Sequence, residues 1–388
     1  MSGVVGNRSR YGGFDALRIV AALMVVFAHS YALTDHKAPL IHVGRYAMGL
    51  GSLGVAIFFV SSGFLVSESW DRTGRLGAFA RSRFARIWPA LTLLVVGLVF
   101  FVGPVLTTLG LRQYFSNALT FRYLWKNVTL VSGVSFNLPG VFVRNQPVHG
   151  VDGSLWTLQY EIWAYVALMA LGLAGALRRP YVALVVLITA LVVFRLGIPG
   201  GIITLPRRAV LGMTLERAAW LAAFFFAGVV LSRIRGMFDL RKLVVPAVAL
   251  VAFAFVTREP ALYVVGVAAL VVGLGMRQSA ATRAVHRLGD PSYGVYIYSF
   301  PLMQLIYRAQ VADTPLAMFS VAAPLALVAG YISWWLVERP ALNLLRGPAA
   351  REAPTVQGTA VQDTPPPSAA SVSVALAADT RVPAPPPS

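Results

Sequence analysis

Long apolar stretches separated by short polar ones dominate the chain. Ten of them approach the roughly 20 residues that a bilayer core about 30 Å thick asks of a helix. They lie at about 14–33, 50–68, 84–106, 154–176, 181–197, 216–232, 243–257, 260–276, 291–309 and 315–337. The fifth, seventh and eighth are short or weakly separated, so the pattern also accommodates nine or eleven. It predicts an all-α fold, a polytopic transmembrane helix bundle of about ten spans occupying residues 14–345. The first stretch is long, contains Asp15 and Arg18, and is followed by no small-residue cleavage site. It therefore reads as a retained anchor rather than a signal peptide. The longest gap, 107–153, contains Trp125, Phe136, Pro139 and Pro147 and is expected to form partly ordered structure over the outer mouth. Residues 346–388 are rich in Ala, Pro, Ser and Thr. They cannot bury enough apolar surface to fold and are predicted to be a disordered tail. No internal repeat or inverted symmetry is visible.

Composition supports the bilayer as solvent. Only 12% of the residues are charged against 57% hydrophobic, and the mean hydropathy is +0.70. A soluble domain carries about 25% charged residues. The net charge of +18 could in principle serve a nucleic acid. However, the basic residues fall between spans rather than in one soluble patch, which excludes that class and fits membrane topology. The clusters Arg72–Arg86, Arg233–Lys242 and Arg277–Arg287 share a side with Arg8 and Arg10. Both termini, residues 1–13 and the tail, are therefore assigned to the cytoplasm. Cysteine is absent, so disulfide and thiolate chemistry are excluded. No metal site is expected.

Ionisable groups inside a span are costly and usually functional, and four constellations contain them. Arg18 and His29 are eleven residues apart. That separation is about 20° beyond three full turns, so the two side chains share a helix face, about 16 Å apart along the axis. An arginine can hold a phosphate or carboxylate, and a neutral histidine can take a proton from a hydroxyl. A snorkelling arginine and an interfacial histidine are the plainer alternative. The run at 54–64 brings small residues, Gly54, Ser61, Ser62 and Gly63 among them, where a helix or a thin ligand could approach. Arg83 and Arg86, three apart, face roughly one way and suit phosphates, although arginines at cytoplasmic helix ends also follow from topology alone. In 152–165, Ser154, Glu161 and Tyr165 share a face. Asp152 and Ser154 suit loop capping, but Glu161, about two turns into the span, needs a partner or a proton.

The order of these segments resembles the acyltransferase-3 family of membrane-bound O-acyltransferases, over roughly residues 11–345. The resemblance rests on Arg18 with His29, on GVAIFFVSSGF at 54–64, on Arg83-x-x-Arg86 and on SLWTLQYEIWAY at 154–165. SYGVYIYSFP at 292–301 and Glu338-Arg339-Pro340 extend it. It departs from the family pattern at Ala56, where an acidic residue is usual, and at Ser299, where a histidine is frequent. The resemblance implies transfer of an acyl group, acetyl in the simplest case, from cytoplasmic acyl-CoA to a hydroxyl of an extracytoplasmic glycan or glycolipid in the cell's inner or plasma membrane. Acyl-CoA would be a substrate, with no permanently bound cofactor. It implies His29 as general base or acyl carrier, Arg18 at the donor, and Glu161 balancing Arg18 or His29. Arg83 and Arg86 would take the donor's phosphates, with Ser61 and Gly63 beside the pantetheine arm. A transporter or flippase and a non-catalytic relative are the rival readings.

Overall fold

The computed structural model describes residues 12–44, 46–145, 150–197 and 211–345. The expected tail, the N-terminal residues before Gly12 and Pro147 lie outside the described residues. Of the described residues, 77% are helical.

Helix α1 (Gly12–Leu33) leads into a hairpin of β1 (Leu40–Val43) and β2 (Tyr46–Gly49), antiparallel with Val43 opposite Tyr46. This hairpin is a local exception within an otherwise helical arrangement. Four-residue strands between two long apolar helices leave no periodicity to read. Helix α2 (Leu50–Thr73) follows, then α3 (Leu76–Gly97), which a π-helical turn (Leu98–Val102) carries into α4 (Gly103–Leu106). The 107–153 gap holds α5 (Leu111–Ser116) and α6 (Ala118–Thr129). Trp88 of α3 donates to the Val128 carbonyl (3.0 Å), and Tyr114 donates to that of Val99 (2.9 Å). The partial order expected there is present in the described part.

Next come α7 (Trp156–Leu173), α8 (Pro180–Gly197), α9 (Leu215–Ile234), α10 (Val244–Thr257) and α11 (Pro260–Gly275). The set ends with α12 (Ala280–Leu288), α13 (Ser292–Arg308), α14 (Pro315–Ser333), a π-helical turn (Trp334–Glu338) and α15 (Arg339–Leu344). Each of the ten expected stretches is helical. Among the described residues six helices are long and apolar enough to cross a membrane, or seven if α11 and α12, bent by 85°, form one span.

Helix α1 lies among α2, α11, α12, α13 and α14. Its contact with α2 depends on Gly54, where a Cβ would collide with the carbonyl of Ala21. Gly63 does the same for α2 and α9, since a Cβ there would overlap the Phe225 carbonyl. Small residues here let backbones touch where lipid supplies no hydrophobic drive between helices. Gly63 is thus filled by α9, which corrects the expectation that it lines a ligand path. Ser61, two residues earlier, is fully buried with an unpartnered hydroxyl.

Candidate active site

Two polar regions occur at two depths along α1. At its N-terminal end Arg18 reaches Asp290, in the turn before α13, at 3.4 Å. Arg86 of α3 reaches the same carboxylate oxygen at 2.5 Å and Glu338 at 3.4 Å. Glu338, 1% exposed, closes the π-helical turn after α14 and accepts from the Ser333 hydroxyl (3.0 Å). The other Asp290 oxygen accepts from the Ser292 backbone N–H (3.2 Å) and hydroxyl (2.5 Å). Burial disfavours the charge on Asp290. The guanidinium groups of Arg86 and Arg18 and the Ser292 hydroxyl outweigh it, and hold the carboxyl below the usual carboxylate range. Beside this cluster Asp15 meets His286 of α12 at 2.6 Å.

The two arginines of α3 have different partners. Arg86 is committed to two carboxylates and lies over Tyr293 and Trp334. Arg83 contacts the Ser82 hydroxyl (3.1 and 3.2 Å) and lies over Phe79 and Tyr165. Among the described residues no carboxylate pairs with it. The fork that remains able to take a phosphate is therefore Arg83.

Glu161 accepts from Ser62 of α2 (3.0 Å) and from Tyr165, one turn on in α7. It contacts neither Arg18 nor His29, which corrects the expected pairing. Through Tyr165 it lies instead beside Arg83. A carboxylate satisfied by two hydroxyls meets the demand of burial without a cation.

At the other depth His29 meets Phe300 of α13 edge-on, ring centroids 5.0 Å apart, and its buried Nδ1 has no partner. Arg18 and His29 are eleven residues apart on α1. Their neighbours, Asp290 just before α13 and Phe300 in its middle, are ten apart. At 1.5 Å per residue these separations are about 16 and 15 Å. Helices α1 and α13 therefore run parallel, side by side, and join the two regions. Against Phe300 also lies Gly153, where a Cβ would come within 2.5 Å of the ring. Asp152 caps this turn by accepting the Ser154 N–H at 2.7 Å, as its position suggested. Tyr296 donates to the Ser154 carbonyl (2.9 Å). Asn145 donates to the Gln304 side chain (2.7 Å), and Gln304 to the Gly150 carbonyl (2.6 Å), which fastens the 107–153 segment to α13.

Residues 11–337 match the model of the acyltransferase domain, Acyl_transf_3. The chain belongs to the acyltransferase-3 family. It is an acyltransferase with helices suited to a membrane. An O-acetyl transferase of Shigella phage Sf6 is 27% identical over 332 residues, 84% of this chain and 94% of the relative. Nodulation protein 10 of Rhizobium leguminosarum bv. viciae is 29% identical over 358 residues, 87% and 95% respectively. Acyltransferase MdmB of Streptomyces mycarofaciens is 26% identical over 382 residues, 87% and 92%. No solved structure matches the chain.

The acyltransferase's two departures from the family pattern have ordinary surroundings. Ala56 is fully buried in α2, and the Ser299 hydroxyl bonds the Tyr296 carbonyl at 3.3 Å. Sequence reasoning missed Asp290 altogether and saw Glu338 only as part of a closing motif. One signal was available. In a chain with 15 acidic residues and a net charge of +18, a carboxylate at the edge of a span will find an arginine.

Proposed function

We propose that this acyltransferase moves an acyl group, acetyl in the simplest case, from acyl-CoA at the cytoplasmic face to a hydroxyl of a glycan or glycolipid at the outer face. The observation that carries this reading is the parallel pairing of α1 with α13. It holds an arginine cluster at one depth and an unpartnered histidine nitrogen at another. Lys and Arg placement puts the cluster at the cytoplasmic side, with about ten spans and both termini inside. A parallel α1 and α13 is compatible with this: if each of the seven apolar stretches between them crosses, the chain returns to the starting side.

Arg83 binds phosphate of the donor. Arg18 and Arg86, locked to Asp290 and Glu338, give that end its positive field and fixed shape. The acceptor hydroxyl gives its proton to His29 as its oxygen attacks the thioester carbon. The C–S bond then breaks, and coenzyme A leaves as the thiolate and takes up the proton. The relative named an O-acetyl transferase supports oxygen as the acceptor atom.

Arg83→Ala should raise KM for acetyl-CoA about 10- to 100-fold, the worth of a lost charge-assisted hydrogen bond, and leave the acceptor KM near its original value. Initial rates of thiol release by the reconstituted protein measure both. A rise confined to the acceptor would remove Arg83 from the donor site.

A further inference from the structure

The Arg83 guanidinium carbon lies 5.9 Å from the centre of the Phe79 ring and 5.8 Å from that of Tyr165. Phe79 is one turn earlier on α3, fully buried, and braced edge-on by Trp70 of α2 at 5.2 Å. Tyr165 comes from α7 and is buried. Its hydroxyl donates to Glu161, one turn earlier, and lies 3.5 Å from the Ser62 hydroxyl of α2, which also donates to Glu161 (3.0 Å). The Tyr165 ring is thereby pinned at its hydroxyl end. Side chains of three helices, α2, α3 and α7, thus bear on one guanidinium. Arg83 hydrogen-bonds the Ser82 hydroxyl, a neighbour on its own helix, and that bond fixes it little against the other two. An arginine loses rotamer freedom when it binds a ligand, and one held beforehand loses less. Aromatic faces suit this task. They attract a guanidinium through the ring quadrupole and leave N–H groups for a ligand. Carboxylates, which Arg86 has in Asp290 and Glu338, take up those N–H groups instead.

We infer that Glu161 and Tyr165 are positioning residues for the acyl donor: Glu161 fixes the Tyr165 ring, and that ring, with Phe79, holds the Arg83 guanidinium ready for a donor phosphate. This deepens the proposed function and rests on its assignment of Arg83 to the donor. It gives Glu161 a task in the reaction without contact to Arg18 or His29.

Coenzyme A is the probe, titrated calorimetrically into full-length protein in detergent. Tyr165→Leu keeps bulk but offers no ring face, and should raise the Kd about 10-fold, in the range of a desolvated cation–π contact. Tyr165→Phe keeps the face and loses the tether, so it should raise the Kd about 2- to 3-fold. Glu161→Ala should match Tyr165→Phe. The double variant Glu161→Ala/Tyr165→Phe should bind no more weakly than either alone, because both changes break the same link. A merely structural role would lower the binding-competent fraction and leave the Kd of the remainder unchanged. An unchanged Kd in Tyr165→Leu would overturn the inference. So would effects that multiply in the double variant, since Glu161 would then act independently of Tyr165. Arg83→Ala in the same titration separates this inference from the donor reading. If Arg83→Ala weakens coenzyme A binding and Tyr165→Leu does not, only the positioning role falls. If Arg83→Ala leaves the Kd unchanged, the donor assignment falls and the positioning role with it. Should Tyr165→Leu fail to fold, Tyr165→Phe and Glu161→Ala decide, and an unchanged Kd in both would overturn the inference.

Discussion

His29→Ala should leave a folded protein in the membrane and lower acyl transfer about 10²- to 10⁴-fold, the usual contribution of a positioned general base. The structural side of this expectation comes from what the ring touches. Its Nδ1 makes no hydrogen bond, and its ring packs edge-on against Phe300. Truncation therefore opens a small gap and breaks no polar contact. Loss of activity at normal protein abundance then reports chemistry. Because α1 and α13 still hold Arg18 to Asp290 in the variant, KM for acetyl-CoA should stay near its original value while kcat falls. Undiminished transfer would remove the histidine from the mechanism.

The second large effect is on stability. Asp290→Ala should cost about 3–5 kcal/mol, as expected when one partner of a buried ion pair is removed and the other charges remain. Asp290 joins three elements, since it holds Arg18 of α1 and Arg86 of α3 while bonding Ser292 at the start of α13. Its loss leaves Arg18 without a carboxylate and Arg86 with Glu338 alone. Arg86→Lys should fail to restore the cluster, because a single ammonium cannot bridge two carboxylates as a guanidinium fork does. Thermal unfolding of detergent-solubilised protein measures both variants. A midpoint unchanged by Asp290→Ala would show that the cluster does not hold the helices together. The pH dependence has a definite sign. The Asp290 carboxyl is held below its ordinary value in the folded protein. Its contribution is therefore fully present above about pH 4, where the unfolded group is ionised, and is lost as pH falls through the lower folded value.

Helix geometry made part of the site legible in the sequence. An eleven-residue spacing fixes a shared face in any straight helix, so Arg18 and His29 could be placed together and at two depths. Partner choice was not legible, because it is tertiary. Nothing in the spacing of Arg83 and Arg86 reveals that one is consumed by Asp290 and Glu338, 204 and 252 residues away, and that the other is not. Glu161 was seen to need a partner, but hydroxyls of Ser62 and Tyr165 met the need as well as a cation would. Small residues at 54–63 fitted helix contact and ligand passage equally, and only the approach of the α9 backbone to Gly63 distinguishes them. The hairpin at 40–49 was invisible because its strands are shorter than any pattern needs.

Transfer across the bilayer is the central claim, and sealed vesicles test it most directly. Inside-out membrane vesicles from cells producing the protein would be given radiolabelled acetyl-CoA on their outer, formerly cytoplasmic, surface. Label on glycan inside the lumen would then be counted, with the His29→Ala protein as control. The account predicts lumenal label with the unaltered protein, little with the variant, and none in right-side-out vesicles given the donor externally. Equal labelling in both vesicle orientations, or undiminished labelling by His29→Ala, would contradict it.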